Sequence, residues 1–190
     1  MVKIYVNDKP SDVELSYAMP LLSEQRRQHV ERLRREGDKR LSVAAYLLLC
    51  QALRDVYGIE EPPVFGYAPS GKPYIEGRHD IHFNMSHCRE AVAIALSDNP
   101  VGIDVERIRH ISPALCHYVL NAAEYEGVMS SAKPEEEFCR LWTKKESLLK
   151  MTGEGLRSPL PPLLDDISPA IVFHTEAHPT FIVTTCEQCR

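Results

Sequence analysis

The chain has 190 residues, with 22 Lys+Arg against 27 Asp+Glu, for a formal charge of −5. That length admits one domain or two small ones with a sizeable core, and 44% hydrophobic with 26% charged residues excludes wholesale disorder. Mild acidity argues against non-specific nucleic-acid binding, and no apolar run approaches the roughly 18 residues of a membrane span.

In chain order, Met1–Val6 alternates like a strand and lacks the apolar core of a signal peptide. A soluble, cytoplasmic protein is therefore expected, with no nucleic-acid or membrane partner. A turn at Asn7-Asp-Lys-Pro10 follows. Ser23 reads as the N-cap of a charged helix reaching about Glu36 and broken by Gly37. A second helix, about Asp38–Tyr57, carries Leu41, Ala44, Ala45, Leu48, Ala52 and Leu53 at helical spacing, and Gly58 stops it. Ser23–Arg40 holds seven basic residues against four acids, a solvated face or a local basic surface.

Glu60–Ile75, rich in Pro and Gly, reads as loop with short strands and a turn at Pro69–Pro73. Three β-like runs come next, His82–Ser86, Ala91–Ser97 and Val101–Glu106, with Asp98-Asn-Pro100 as a hairpin connection between the last two. Two helices are expected at about Pro113–Met129, breakable near Leu120, and about Pro134–Thr152, ended by Gly153 and Gly155. A proline-rich loop at Ser158–Pro162 precedes late strands near Ile171–His174 and Thr180–Thr184. The order strand, two helices, strands therefore occurs twice. That echo predicts a duplicated α+β unit with its seam near Asn99. The six scattered cysteines read as free thiols, and Cys186-Glu-Gln-Cys189 is a lone pair with no second half of a zinc site.

Chemistry concentrates in four places. On the strand Gly102-Ile-Asp104-Val-Glu106, residues two apart share a face, so Asp104 and Glu106 present adjacent carboxylates. Such a pair needs a positive charge, supplied either by a hard divalent cation such as Mg²⁺ or by Arg107 and Arg109 on a solvated edge. Trp142, Glu146 and Lys150 fall at i, i+4 and i+8 on one helix face, either a working row or a surface ion pair. Lys145 lies on the neighbouring face. Phe83-Asn-Met-Ser86-His87 ends a strand with a hydroxyl and an imidazole. Neighbours on a strand point apart, so these two suit phosphate contact better than a nucleophile–base pair.

These blocks, with Gly71-Lys72-Pro73 and the run from Trp142 through Lys150 to Gly153-Glu-Gly155-Leu156, resemble the 4'-phosphopantetheinyl transferases of the surfactin-synthetase-activating (Sfp) type. The resemblance covers roughly residues 37–160, in the family's order. It implies transfer of the phosphopantetheine arm of coenzyme A to a serine of an apo acyl or peptidyl carrier protein, with release of adenosine 3',5'-bisphosphate. It implies Asp104, Glu106 and Glu146 as Mg²⁺ ligands, and Lys150 and Lys145 as cations for phosphate oxygens. Ser86 and His87 would meet the phosphates of coenzyme A, and Arg40 and Lys72 would line the nucleotide pocket. Glu146, with Lys150 and Asp104 beside it, is the candidate base for the serine proton, directly or through a metal-bound water.

The resemblance departs in the N-terminal part: Leu41 follows Arg40 where several members carry threonine, and Arg26 and Arg27 only approximate the lysines some members use. The length fits the family's longer monomers, with two fused similar lobes (1–98 and 99–190), each a small antiparallel sheet packed with helices. The active site would lie in the cleft between them. Two other readings use the same residues: Mg²⁺-dependent pyrophosphate hydrolysis, which would turn over without a carrier protein, and a non-catalytic carrier-binding module, which would not need the three carboxylates. Carrier docking is expected on the helix Pro113–Tyr125, through Leu115, Tyr118 and Val119.

Overall fold

A computed structural model, which describes residues 2–154 and 160–189, resolves the strand–helix–strand echo into two lobes. The first runs β1 (Lys3–Asn7), α1 (Leu15–Ala18), α2 (Glu24–Glu31), α3 (Glu36–Tyr57), the short pair β2 (Phe65–Tyr67) and β3 (Pro73–Ile75), β4 (His82–His87) and β5 (Val92–Ser97). The second runs β6 (Val101–Arg107), α4 (Pro113–Val119), α5 (Ala122–Ser130), α6 (Pro134–Thr152), β7 (Ile171–Ala177) and β8 (Phe181–Gln188). The main sheets have the orders β1-β5-β4 and β6-β8-β7, both antiparallel. In each, the lobe's last strand lies between its first and its penultimate one. Gly155, Leu156 and the first residues of the expected Ser158–Pro162 loop lie outside the described residues.

Local chemistry explains the boundaries. The Ser23 hydroxyl accepts from the Arg26 amide at 3.3 Å and starts α2. α2 ends at Glu31 rather than Glu36, and Gly37 lies inside the first turn of α3. Amides in a first turn lack helical partners whatever the residue, so a glycine there does not break the helix. Gly58, at φ +67°, closes α3. The break near Leu120 is real, because Asn121 and Glu124 form a capping box that starts α5. Pro134 opens α6 and Gly153, at φ +80°, closes it. Asp98-Asn-Pro100 does not make a hairpin: β5 and β6 belong to different sheets, and this connection carries the chain from one lobe to the other. Beside it, the Ser97 hydroxyl and the Asn99 amide both donate to Glu187 at the end of β8.

The two sheets share a core. β5 is buried along its whole length and uses both faces. Ile94 and Leu96 pack under α3 with Tyr46, Leu49 and Leu53. Ala91, Ala93 and Ala95 turn the other way, against Val101, Ile103 and Val105 of β6 and Phe181 and Val183 of β8. The small alanines let β6 come close. On its other face, β6 lies under α6. A Cβ on Gly102 would fall on the Ser147 carbonyl oxygen and within 2.6 Å of the Met151 amide nitrogen, so α6 rests directly on the strand backbone. No helix among the described residues is long and apolar enough to cross a membrane.

Gly102→Ala should therefore destabilise the chain by about 3 kcal/mol or more, because backbone rather than a flexible side chain must move. Gly37→Ala, with open space around its Cβ position, should be neutral or slightly stabilising. Urea unfolding of the two variants checks the contrast.

Candidate active site

Gly102 on β6 faces α6, so the alternation of the strand aims Asp104 and Glu106 to the same side, while Ile103 and Val105 enter the shared core. Asp104 is only 2% exposed. A bare carboxylate there would be very costly, and two groups from other elements answer it. Lys150, in the last turn of α6, brings its ammonium to 2.5 Å from Asp104 Oδ1. Ser86, on β4 of the other lobe, donates its hydroxyl to the same oxygen at 2.9 Å and accepts from Lys150 at 2.8 Å. One oxygen of Asp104 thus joins three elements and both lobes. The other oxygen, Oδ2, is buried without a partner.

Glu106 and Glu146 stand in the same field. Burial, and then the Asp104 charge, push the Glu106 carboxyl up to about 7, against the opposing charges of Arg109 and Lys150. Burial and Asp104 also raise Glu146, partly offset by Lys150. This surplus of negative charge, with an orphaned carboxylate oxygen at its centre, fits an oxygen-preferring divalent cation. Yet no three acidic, histidine or cysteine side chains among the described residues gather closely enough to form a ready-made ligand set. Lys150 supplies the cation at Asp104 Oδ1.

Two open grooves border this point. One, of about 410 Å³, is lined by Lys72, Pro73, Asn84, Met85, Glu146 and Lys150. The other, of about 510 Å³, is lined by Arg40, Leu41, His87, Cys88, Arg89 and the segment around Pro10. His87 sits on its rim. Desolvation by the surrounding wall, and then the charges of Lys150 and Arg26, hold its pKa below the ordinary histidine value. Asp38 opposes them, but Arg40 and Arg89 line the same groove, so cations outnumber the acid there, as a site for anions requires. Arg40 reaches Ser11 O at 2.7 Å, Val13 O at 3.1 Å and Glu36 at 2.7 Å, so it braces the wall it lines. The Lys72 ammonium donates to Val101 O at 3.1 Å and Met151 O at 2.9 Å, and burial brings it down to about 8.

Lys145 requires a correction. It is fully buried, and its ammonium donates to Val119 O at 2.7 Å, Glu124 at 2.6 Å and Pro161 O at 3.0 Å. With all three protons committed beneath the α4–α5 corner, it meets no phosphate. Val119 is also core rather than docking surface, whereas Tyr118 is 55% exposed. Trp142 is half-buried beside Phe138 and lines a pocket with Glu106, Arg109 and Leu115. Arg26 ties α2 to α3 by donating to the Ser42 carbonyl and hydroxyl. The cysteines among the described residues are free thiols, and Cys186 is buried against Met151.

Two working residues escaped the sequence reading. Asn84 accepts the Ile103 amide at 3.0 Å and pins β4 to β6 across the lobes. Gly102 admits α6. A buried amide inside an apolar strand, and a glycine inside another, were the available signals.

Comparison with known proteins agrees with this geometry. Residues 100–187 match the family model described as the 4'-phosphopantetheinyl transferase superfamily. Residues 7–99 match the model described as 4'-phosphopantetheinyl transferase, N-terminal. The 4'-phosphopantetheinyl transferase gsp of Aneurinibacillus migulanus is 31% identical over 84% of this chain and 69% of its own length. The 4'-phosphopantetheinyl transferase psf-1 of Bacillus pumilus is 31% identical over 80% of this chain and 66% of its own. The 4'-phosphopantetheinyl transferase Sfp of Bacillus subtilis strain 168 is 29% identical over 83% and 71%. The chain thus spans about two thirds of the length of these relatives.

Lys150→Met should raise the His87 pKa toward the ordinary value of 6.5, since it removes a positive charge that holds it down. An NMR titration of the His87 ring reads this directly, and an unchanged midpoint would disprove the assigned field.

Proposed function

The chain belongs to the 4'-phosphopantetheinyl transferase family, and we propose that it transfers the 4'-phosphopantetheine arm of coenzyme A to a serine hydroxyl of an apo acyl or peptidyl carrier protein. The single observation that carries this reading is the Lys150–Ser86–Asp104 junction, where both lobes meet beside a groove lined by Glu146.

In this reaction the carrier serine oxygen attacks the phosphorus that bears pantetheine. A new P–O bond forms, the bond to the bridging pyrophosphate oxygen breaks, and adenosine 3',5'-bisphosphate leaves. Lys150 neutralises charge on the phosphate oxygens, a role supported by its place at the groove wall. Glu146, raised above the ordinary carboxylate range by burial and by Asp104, takes the serine proton. His87 and Arg40 receive the nucleotide end of coenzyme A on the positive rim, and Ser86, whose one proton goes to Asp104, holds that carboxylate and Lys150 in place beside the groove. Asp104, Glu106 and Glu146 are the residues that would hold Mg²⁺, with Asp104 Oδ2 as the uncommitted oxygen, and the ion would supply charge neutralisation at the pyrophosphate.

Residues 1–98 thus contribute the coenzyme A contacts and 99–190 the carboxylates and the catalytic helix. Because one chain carries both halves of the site, the enzyme acts as a monomer. Leu115 and Tyr118 on α4 form the docking patch for the carrier, with Tyr118 the exposed anchor.

Incubation of an apo carrier protein with coenzyme A, Mg²⁺ and the enzyme should add one phosphopantetheine mass to the carrier, read by mass spectrometry. Its absence across several carriers would remove the transferase reading, and turnover of coenzyme A without a carrier would replace it with hydrolysis. Glu146→Gln and Asp104→Ala should each cost on the order of 10² or more in rate with the fold retained by circular dichroism. Leu115→Asp and Tyr118→Ala should raise the KM for the carrier and leave the KM for coenzyme A alone; an unchanged carrier KM sinks the docking patch.

A further inference from the structure

The Lys72 side chain lies along the wall of the groove, but its charge points elsewhere. The turn that carries it is tightly fixed: the Gly71 amide donates to Ala68 O at 2.8 Å, the Ala68 amide donates to Lys72 O at 2.9 Å, and Gly71 takes φ +83°. From that anchored base in the first lobe, the ammonium reaches two carbonyls of the second. One is Val101 O, on the first residue of β6, at 3.1 Å; the other is Met151 O, in the last turn of α6, at 2.9 Å. Carbonyls in a last turn lack helical partners, and a cation there also complements the helix dipole. The tip of the same turn abuts the helix end, since a Cβ on Gly153 would come to 3.2 Å from the Ser70 hydroxyl.

Met151 follows Lys150 directly, and Lys150 must place its ammonium on Asp104 and Ser86 within hydrogen-bond distance. Gly102 fixes how closely α6 lies on β6, and Lys145 anchors the side of α6 facing the α4–α5 corner. Gly102 sets the spacing at Ser147 and Met151 by close backbone approach, and the Lys72 ammonium adds a polar tie there between Met151 O and Val101 O. We propose that Lys72 is a positioning residue that locks the end of α6 to β6 from the opposite lobe and so sets where Lys150 stands. This differs from the nucleotide contact that the resemblance implied for Lys72. Its kinetic consequences rest on the transferase reading; its structural consequence does not.

The test compares Lys72→Met and Lys72→Arg, each in the wild type and in a Lys150→Arg background, by steady-state kinetics and by hydrogen exchange. Lys72→Met should lower kcat about tenfold while the KM for coenzyme A stays within about twofold, and Lys72→Arg should restore most of the rate. In the Lys150→Arg background the same change should cost less than about threefold, because the lock acts through Lys150. Exchange should quicken over residues 146–154 and stay unchanged in β1, β5 and β4. A raised KM for coenzyme A with kcat preserved would assign Lys72 to the nucleotide and overturn the proposal. An equal loss in both backgrounds would reduce it to general destabilisation. Should Lys72→Met fail to fold, Lys72→Gln gives the same exchange comparison. Should the wild type transfer nothing, the exchange arm still decides: quickened α6 exchange upholds the lock while the transferase reading falls, and unchanged exchange overturns the lock itself.

Discussion

A carboxylate buried on the helix-facing side of a strand needs a cation, and Asp104 draws its cation from α6. Removing an ion from water costs several kcal/mol even after relaxation, so a site such as Asp104 survives only if its partners are held in place. Lys150 and Ser86 are those partners, and they arrive from α6 and β4. Placing Lys150 requires α6 to lie on β6, which Gly102 permits. Placing Ser86 requires β4 to lie beside β6, which Asn84 secures through the Ile103 amide. One electrostatic demand thus makes the approach of the lobes and the assembly of the site the same event.

The two lobes answer a common topology with different chemistry. Both set their last strand between the first and the penultimate one, and both put a long helix against their sheet. In the first lobe that helix, α3, buries Tyr46, Leu49 and Leu53 on Ile94 and Leu96 of β5, an ordinary apolar contact. In the second lobe α6 presses on a glycine and turns Lys150 and Glu146 toward the seam. Three elements of the first lobe then supply what the second lacks: β4 gives Ser86 and His87, α3 gives Arg40 and the β2–β3 turn gives Lys72. The first lobe has become a wall of donors and the second a bed of carboxylates. Neither alone encloses the groove.

What the sequence revealed follows from the range of each interaction. α6 was legible over its whole span because Pro134 and Gly153 act locally. So was the break before α5, where Asn121 and Glu124 cap each other three residues apart. The shared face of Asp104 and Glu106 followed from strand alternation alone. One failure is local and the others are tertiary. Gly37 looked like a breaker, although its place in the first turn of α3 makes it harmless. Asp98-Asn-Pro100 has the composition of a hairpin, and only the burial of both faces of β5 shows that β6 must leave for another sheet. Lys145 and Lys150 lie about 140° apart in a helical projection, but the projection does not say what either face meets. One lies under the α4–α5 corner and the other at the lobe seam, and nothing local to α6 records which is which.

The three lysines around α6 show how position gives one residue type three different tasks. Lys145 gives all three protons to Val119, Glu124 and Pro161 and so binds the α4–α5 corner to the helix. Lys72 spends its charge on two carbonyls and spans the seam. Lys150 is the most available, since its two partners, Ser86 and Asp104, both stand at the groove. It meets only one oxygen of Asp104, so a second cation at Oδ2 would share the carboxylate rather than displace the lysine. A phosphate entering the groove would then meet Lys150 from a helix that two other lysines hold still. Preorganisation of this kind matters more to phosphoryl chemistry than added charge, because the transition state gains only from cations already in place.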